Sequence, residues 1–270
     1  MIAIIFTQID PVIFHIIGPI ALRWYGLAYI LGIIFSIWFI SKLSKKSLSL
    51  IINKKIADDM IFHSAIGIII GGRIGYVLFY DIAYYINHPI DIIKIWEGGM
   101  SFHGGFIGLL ISLYLLCKKH KIVFLELTDL ISCTAPIGLF FGRIANFING
   151  ELIGRTTEVP WGMIFPNVDN LVRHPSQLYE AFLEGILLFI IMSFLRKTIS
   201  SEKEGTLSAY FLILYGILRS IAELFREPDQ HIGFIAKYLT LGQVLCLPFI
   251  LAGLLLIYKL KLCSNQTTHL

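Results

Sequence analysis

The sequence predicts an all-α integral membrane protein: a bundle of seven transmembrane helices with a small irregular head on one side. Three observations lead there. Of 270 residues, 56% are hydrophobic and 15% charged, where a soluble protein carries about 25% charged residues, and the mean hydropathy is +0.77. Apolar runs recur along the whole chain, each near the ~20 residues a helix needs to cross a bilayer. The basic residues fall mainly in alternate loops, which is a topology signal and not a nucleic-acid one.

Residues 1–17 are apolar but broken by Asp10-Pro11, so an interfacial segment is expected there. The first span is read from about Gly18 to Ile40, followed by a stretch that ends in Lys54-Lys55. The second covers about Ala57 to Tyr80 and contains Gly71-Gly72-Arg73-Ile74-Gly75-Tyr76. A loop from Asp81 to Gly98 carries Trp96 and two tyrosines, which suits a membrane interface. The third span, about Gly99 to Cys117, opens with His103-Gly104-Gly105, and the fourth, about Leu125 to Phe147, carries Arg143 near its end. Residues 148–175 are polar and rich in Pro, Gly and Asn and form the head. The fifth span is about Ser176 to Leu195, the sixth about Thr206 to Phe225 with Arg219 and Glu223, and the seventh about Leu241 to Tyr258. The whole of 1–270 is read as one membrane-embedded domain with the head as an insertion.

The loops after spans one, three and five, together with the tail, hold 13 of the 22 basic residues, and the opposite loops hold five. The positive-inside rule then places the N-terminus and the head outside and the C-terminus in the cytoplasm. The first ten residues carry no Lys or Arg, so a cleavable signal peptide is not expected. Cys117, Cys133, Cys246 and Cys263 sit in or beside apolar runs without CxxC spacing. They read as reduced packing or tail residues, not as a disulfide or metal set.

With orientation fixed, depth follows from a rise of ~1.5 Å per residue. Arg23 and Tyr25, Arg73 and Tyr76, His103, Arg143 and Asn146, Gln177, Tyr179 and Glu180, and Arg219 and Glu223 all fall in the outer half of six spans. A charge at such depth costs roughly 2.5–3.5 kcal/mol on insertion scales, so each needs a partner or a task. Bland readings stand beside this. Arg219 and Glu223 neutralise each other at i,i+4, His103 caps a helix entry, Tyr25 anchors an interface, and the Gly-Gly pairs allow close helix packing. Arg143 with Asn146, Asn149 and Glu151 is harder to reduce to packing. The arginines suit a phosphate or carboxylate, because a guanidinium presents a planar fork of donors. A phospholipid head group is the commonest phosphate at that depth. No GxxxxGK[ST], HExxH or GxSxG pattern occurs, which argues against nucleotide, zinc and serine-hydrolase chemistry. The rival function from another class is a lipid or anion transporter using the same outer-leaflet arginine cluster. That reading calls for polar groups continuing through the inner half of the spans.

The segment Gly142-Arg143-Ile144-Ala145-Asn146-Phe147-Ile148-Asn149-Gly150-Glu151-Leu152-Ile153-Gly154 resembles the signature of prolipoprotein diacylglyceryl transferases. The resemblance extends to Leu22-Arg23-Trp24-Tyr25-Gly26-Leu27 and Gly98-Gly99-Met100-Ser101-Phe102-His103-Gly104-Gly105. It continues through Arg173-His174-Pro175-Ser176-Gln177-Leu178-Tyr179-Glu180 and Tyr215-Gly216-Ile217-Leu218-Arg219, with Glu223 and Arg226-Glu227-Pro228-Asp229. It implies a bacterial inner-membrane, multi-pass enzyme that moves the diacylglyceryl group of phosphatidylglycerol to the lipobox cysteine of a preprolipoprotein. Glycerol phosphate leaves, and neither metal nor nucleotide cofactor is needed. From the residues themselves, His103, Arg143, Arg219 and Glu223 are the expected catalytic residues, with His103 the candidate proton acceptor, and Arg73, Tyr76 and Arg143 are expected to bind substrate. The resemblance adds Tyr25, Asn146, Glu151 and Gly154, which match positions the family uses for lipid binding and loop geometry.

Overall fold

The computed structural model describes residues 4–17, 20–44, 54–95, 98–199, 203–228, 234–235 and 239–267. These residues are mostly helical, and among them five helices are long and apolar enough to cross a membrane: Trp24–Lys42, Asp58–Phe79, Phe124–Ile148, Ser176–Ile199 and Leu241–Leu262. Their faces carry exposed large apolar side chains, such as Ile34 and Trp38 on the first and Leu254 and Leu255 on the last. Lipid is the solvent that such faces require. Trp96, Lys45, Lys46 and Asp229 lie outside the described residues.

Contacts divide the chain into a larger unit, Met1–Ile40 with Thr128–Leu270, and a smaller one, Ser41–Leu127. In the larger unit the interfacial segment expected at the N-terminus is partly sheet. Strand β1 (Ile4–Ile5) is followed by β2 (Val12–Ile17), which pairs antiparallel with β3 (Ile20–Arg23). Helix α1 starts only at Trp24 and runs to Ser44. The first span was read from Gly18, so Arg23 lies outside the helix and Tyr25 in its first turn. The reason is local: Val12, Ile13, Ile16 and Ile17 favour a strand, and the ladder between β2 and β3 satisfies backbone groups before the helix begins.

The remaining long elements of this unit are α5 (Phe124–Ile148, entering from the smaller unit), α6 (Ser176–Glu180), α7 (Leu188–Ile199), α8 (Thr206–Ala222) and α9 (Leu241–Thr267). Between α6 and α7 the helix continues through a π-helical stretch, Ala181–Leu187. The start of α8 is pinned by α5. Asp129 Oδ2 accepts from the Gly205 amide at 2.7 Å, and its Oδ1 accepts from the Ser208 amide at 2.6 Å and the Ser208 hydroxyl at 2.7 Å. One carboxylate thereby satisfies two orphan amides at a helix N-terminus and complements its dipole.

The head is not wholly irregular. Strand β4 (Met163–Ile164) pairs antiparallel with β5 (Val172–Arg173), and β1 joins β4 in parallel, Ile4 opposite Met163. Phe6 seals this small sheet by contacting the rings of Phe147 and Phe165. A second two-stranded pair, β6 (Phe234–Ile235) and β7 (Leu239–Thr240), precedes α9.

The smaller unit is built on α2 (Lys54–Phe79) and α4 (Phe102–His120), with α3 (Ile82–Asn87) and a 3-10 turn (Pro89–Ile93) between them. Gly67, Gly71 and Gly75 recur every fourth residue on α2, and Gly104, Gly108 and Ser112 do the same on α4. Backbone meets backbone along this seam: a Cβ added to Gly71 would lie 2.7 Å from Gly108 Cα, and one added to Gly75 would lie 2.7 Å from Gly104 Cα. Small residues at that spacing are how helices approach closely in lipid. Ser101 caps α4 by accepting from the Gly104 amide, while its own amide donates to Gly72 O at 2.8 Å. Lys118, Lys119 and His120 close the last turn of α4, where cations suit the dipole.

Candidate active site

Four side chains from α5, α6, the π-helical stretch and α8 form a buried ionic cluster in the larger unit. Arg143 Nη1 lies 3.0 Å from Glu180 Oε2, and Arg143 Nη2 lies 3.0 Å from Glu184 Oε2, which also accepts from Nε at 3.2 Å. Arg219 Nη1 contacts Glu180 Oε1 and lies 3.2 Å from Glu184 Oε1. Each glutamate therefore bridges both arginines. Glu223 pairs with Arg219 Nη2 at 2.7 Å, one turn along α8, and Arg226 Nη1 stands 3.9 Å from Glu180 Oε1. The side chains of Glu180 and Glu184 are fully buried, whereas those of Arg143 and Arg219 keep 15% and 10% of their surface. The carboxylates thus sit behind the guanidiniums. Glu180 Oε2 and Glu223 Oε2 accept no aligned hydrogen bond despite their short distances to arginine nitrogens.

The local sequence makes this reach possible. Gly185 lets the helix close on α5, since a Cβ there would stand 2.6 Å from Phe140 Cβ. π-Helical turns inside α-helices hold an extra residue and occur often at functional sites. Gly242, at the start of α9, leaves room for the Glu223 carboxylate, and a Cβ there would come within 2.6 Å of Glu223 Oε1.

A second cluster begins one turn beyond Arg143. The Tyr25 hydroxyl donates to Glu151 Oε1, and Asn146 Nδ2 donates to the Tyr25 hydroxyl and, at 3.1 Å, to Glu151 Oε1. Asn149 Nδ2 reaches the same carboxylate oxygen at 3.5 Å. Gln177 Nε2 donates to the Glu151 carbonyl at 2.6 Å, and Ser176 Oγ to that of Leu152 at 3.0 Å. These bonds lock the turn after α5 onto the start of α6. Gly154 then crosses the chain closely: its amide donates to His174 O at 3.1 Å, and a Cβ there would lie 2.7 Å from Phe225 O. In the head, Arg173 binds Asp169 at 2.6 Å and Glu227 at 3.0 Å. Hydrogen bonds from Arg173 hold the Asp169 carboxyl below the usual carboxylate range, and burial pushes His174 down from its ordinary value.

The structure therefore brings together Arg143, Arg219 and Glu223, and separately Tyr25, Asn146 and Glu151 with Gly154 beside them. Arg73, Tyr76 and His103 belong to the smaller unit. The guanidinium of Arg73 is committed to carbonyls: Nε to Ile92 O at 2.7 Å, Nη2 to Asp91 O at 2.5 Å, and Nη1 to Gly98 O at 2.6 Å and Gly99 O at 3.1 Å. It also lies over the Tyr85 ring at 5.2 Å. In this arrangement it gathers the 91–99 loop. Tyr76 stacks on Tyr80 with ring centres 5.2 Å apart. His103 stands in the first turn of α4 with its side chain exposed.

A family model described as prolipoprotein diacylglyceryl transferase matches residues 11–259. The chain belongs to that family. It is 52% identical over 265 residues to a phosphatidylglycerol–prolipoprotein diacylglyceryl transferase of Rickettsia bellii (strain OSU 85-389), covering 97% of this chain and 99% of the relative. It is 51% identical over 253 residues to the enzyme of that name from Wolbachia pipientis subsp. Culex pipiens (strain wPip), covering 92% and 94%.

For this diacylglyceryl transferase family member, sequence reasoning missed Glu184 and the bridging role of Glu180. The signal was present: Glu180 and Glu184 stand four apart at the start of an otherwise apolar span, and unpaired carboxylates are as costly there as arginines. Among the described residues, no group of three or more His, Cys, Asp or Glu is arranged to hold a metal ion. Cys117, Cys133 and Cys246 are free and buried, and the Cys263 side chain lies outside the described set.

Proposed function

We infer that this protein transfers the diacylglyceryl group of phosphatidylglycerol to the lipobox cysteine thiol of preprolipoproteins, releasing glycerol phosphate. What carries the reading is near full-length identity of about one half to enzymes bearing that name. The meeting of Arg143 and Arg219 over shared carboxylates supports it.

The chemistry needs little beyond placement and charge. The substrate thiol loses its proton, and its sulfur attacks the glycerol carbon that bears the phosphoester oxygen. That C–O bond breaks, and the electron pair leaves on glycerol phosphate. Arg143 and Arg219 stabilise the charge gathering on the departing phosphate, which is where preorganised donors contribute most. Glu223 orients Arg219. His103 accepts the thiol proton, directly or through water, since imidazole is the side chain most often used to take a proton in catalysis. Tyr25, Asn146, Glu151 and Gly154 shape the lipid subsite, and Arg73 with Tyr76 supports substrate through the loop it holds. The protein's own cysteines take no part, because the nucleophile arrives with the peptide.

In this reading α4 and α8 join the five spanning helices to complete a seven-helix bundle. Its N-terminus and head face the periplasm, its C-terminus the cytoplasm, and the bundle is one domain of the bacterial inner membrane. The test is a mass shift. Full-length protein in phosphatidylglycerol vesicles with a lipobox peptide should add one diacylglyceryl group to the peptide cysteine. A peptide of unchanged mass, with lipid or anion moved across the vesicle, favours the transporter instead. His103→Asn retaining full turnover would remove His103 from the mechanism.

A further inference from the structure

Glu180 and Glu184 have no assigned part in the transfer, yet they hold both arginines. Four features bear on what they do. Each carboxylate touches Arg143 and Arg219 at once, so the spacing of the two guanidiniums is set by two fully buried anions. Arg143 and Arg219 keep 15% and 10% of their side-chain surface while Glu180 and Glu184 keep none, so of these four groups the arginines are the ones an arriving anion can reach. The pairing is incomplete in angle: Glu180 Oε2, 3.0 Å from Arg143 Nη1, receives no aligned N–H. Finally, three carboxylates (Glu180, Glu184, Glu223) face three guanidiniums (Arg143, Arg219, Arg226), so the formal charges of the cluster balance.

We propose that Glu184, together with Glu180, is a positioning residue that aims Arg143 and Arg219 and weakens their hold on glycerol phosphate enough for the product to leave. The proposal rests on the transferase reading. Two arginines without counter-charge, in surroundings of low dielectric, would grip the product phosphate as tightly as the transition state. Binding that is equal in both states does not speed turnover. Buried carboxylates repel the phosphate in both states, and repel it most in the released product, whose phosphate carries the greatest charge. Glu184 suits this better than Glu223, since it bridges the two arginines and Glu223 touches one.

The experiment uses full-length protein in detergent with phosphatidylglycerol and a lipobox peptide, with glycerol phosphate added as product inhibitor. Wild type is measured first, and absence of transfer there defeats the transferase reading itself. Given transfer, Glu184→Gln should lower the Ki of glycerol phosphate at least about threefold, because one anion behind the arginines is lost. It should lower kcat without raising KM for lipid. Glu184→Asp, which keeps the charge, should restore Ki to within about twofold of wild type. A merely structural residue would lower kcat and thermal stability together and leave Ki where it was. Unchanged or raised Ki in a folded Glu184→Gln variant overturns the proposal while leaving the transferase reading intact. If that variant does not fold, Glu180→Gln is read by the same criterion, and failure of both to fold assigns the pair to structure alone and overturns it.

Discussion

The two units join their helices by opposite means. In Ser41–Leu127, α2 and α4 meet because side chains are missing: Gly67, Gly71 and Gly75 face Gly104, Gly108 and Ser112, and the backbones touch. In the larger unit, α5, α6 and α8 meet because charges are present: Arg143 and Arg219 converge on Glu180 and Glu184. Lipid tails are as apolar as leucine, so the hydrophobic effect does not draw helices together inside a bilayer. Close packing and polar pairing remain. The first asks only for small residues. The second carries a desolvation cost that replacing the ions with apolar side chains would often remove. The arginines of the two units differ likewise. Arg73 is bound to carbonyls of its own loop, while Arg143 and Arg219 face carboxylates and keep an open side. A charged cluster where glycines would join helices more cheaply points to chemistry.

The contrast can be broken most forcefully at Arg219. Arg219→Ala leaves Glu180, Glu184 and Glu223 short of counter-charge. Turnover in the peptide-modification assay should fall by about 10²-fold or more, and stability by about 3–5 kcal/mol, read from thermal unfolding in detergent. Next is the glycine seam: Gly71→Val should cost about 1–3 kcal/mol by overpacking, measured in the same way. If Gly71→Val proves harmless, close packing does not hold the smaller unit. Smaller still is Gly242→Ala, which crowds the Glu223 carboxylate. Turnover should drop a few-fold with stability nearly unchanged, and an equal drop in both would mean that Glu223 acts only as a strut. The smallest effect belongs to the head, where the ion pair is partly solvated. The Asp169 carboxyl titrates lower folded than unfolded, so its contribution is present above the unfolded value of about 3.9 and is lost as pH falls through the lower folded value. Asp169→Asn should therefore lower stability slightly at neutral pH, where that contribution is fully present, and make no difference once pH has fallen below the folded value, so the acid slope flattens.

Much of this was legible in the residues. Composition and apolar runs announced a membrane protein, and the cost of a buried cation singled out Arg143 and Arg219 before any contact was known. The partners were harder. Glu184 lay inside a run read as apolar, and only the tight approach at Gly185 and the π-helical stretch show that it reaches α5. The partners of Arg73 were invisible because carbonyl oxygens carry no sequence signature, and they come from residues 18 to 26 positions away. The pairing of Ile4 with Met163 joins segments far apart in the chain through two residues each, too short for a periodic pattern to register.

Asp129 gives the fold a mechanical property. It ties the beginning of α8 to α5, while Arg143 and Arg219 tie the far ends of the same two helices through α6 and the turn beyond it. Rails bolted at both ends cannot slide past one another without breaking a bolt. Any gate through which lipid enters must therefore swing on other hinges, and an Asp129 variant, remote from the reacting atoms, should alter the gap between the two guanidiniums.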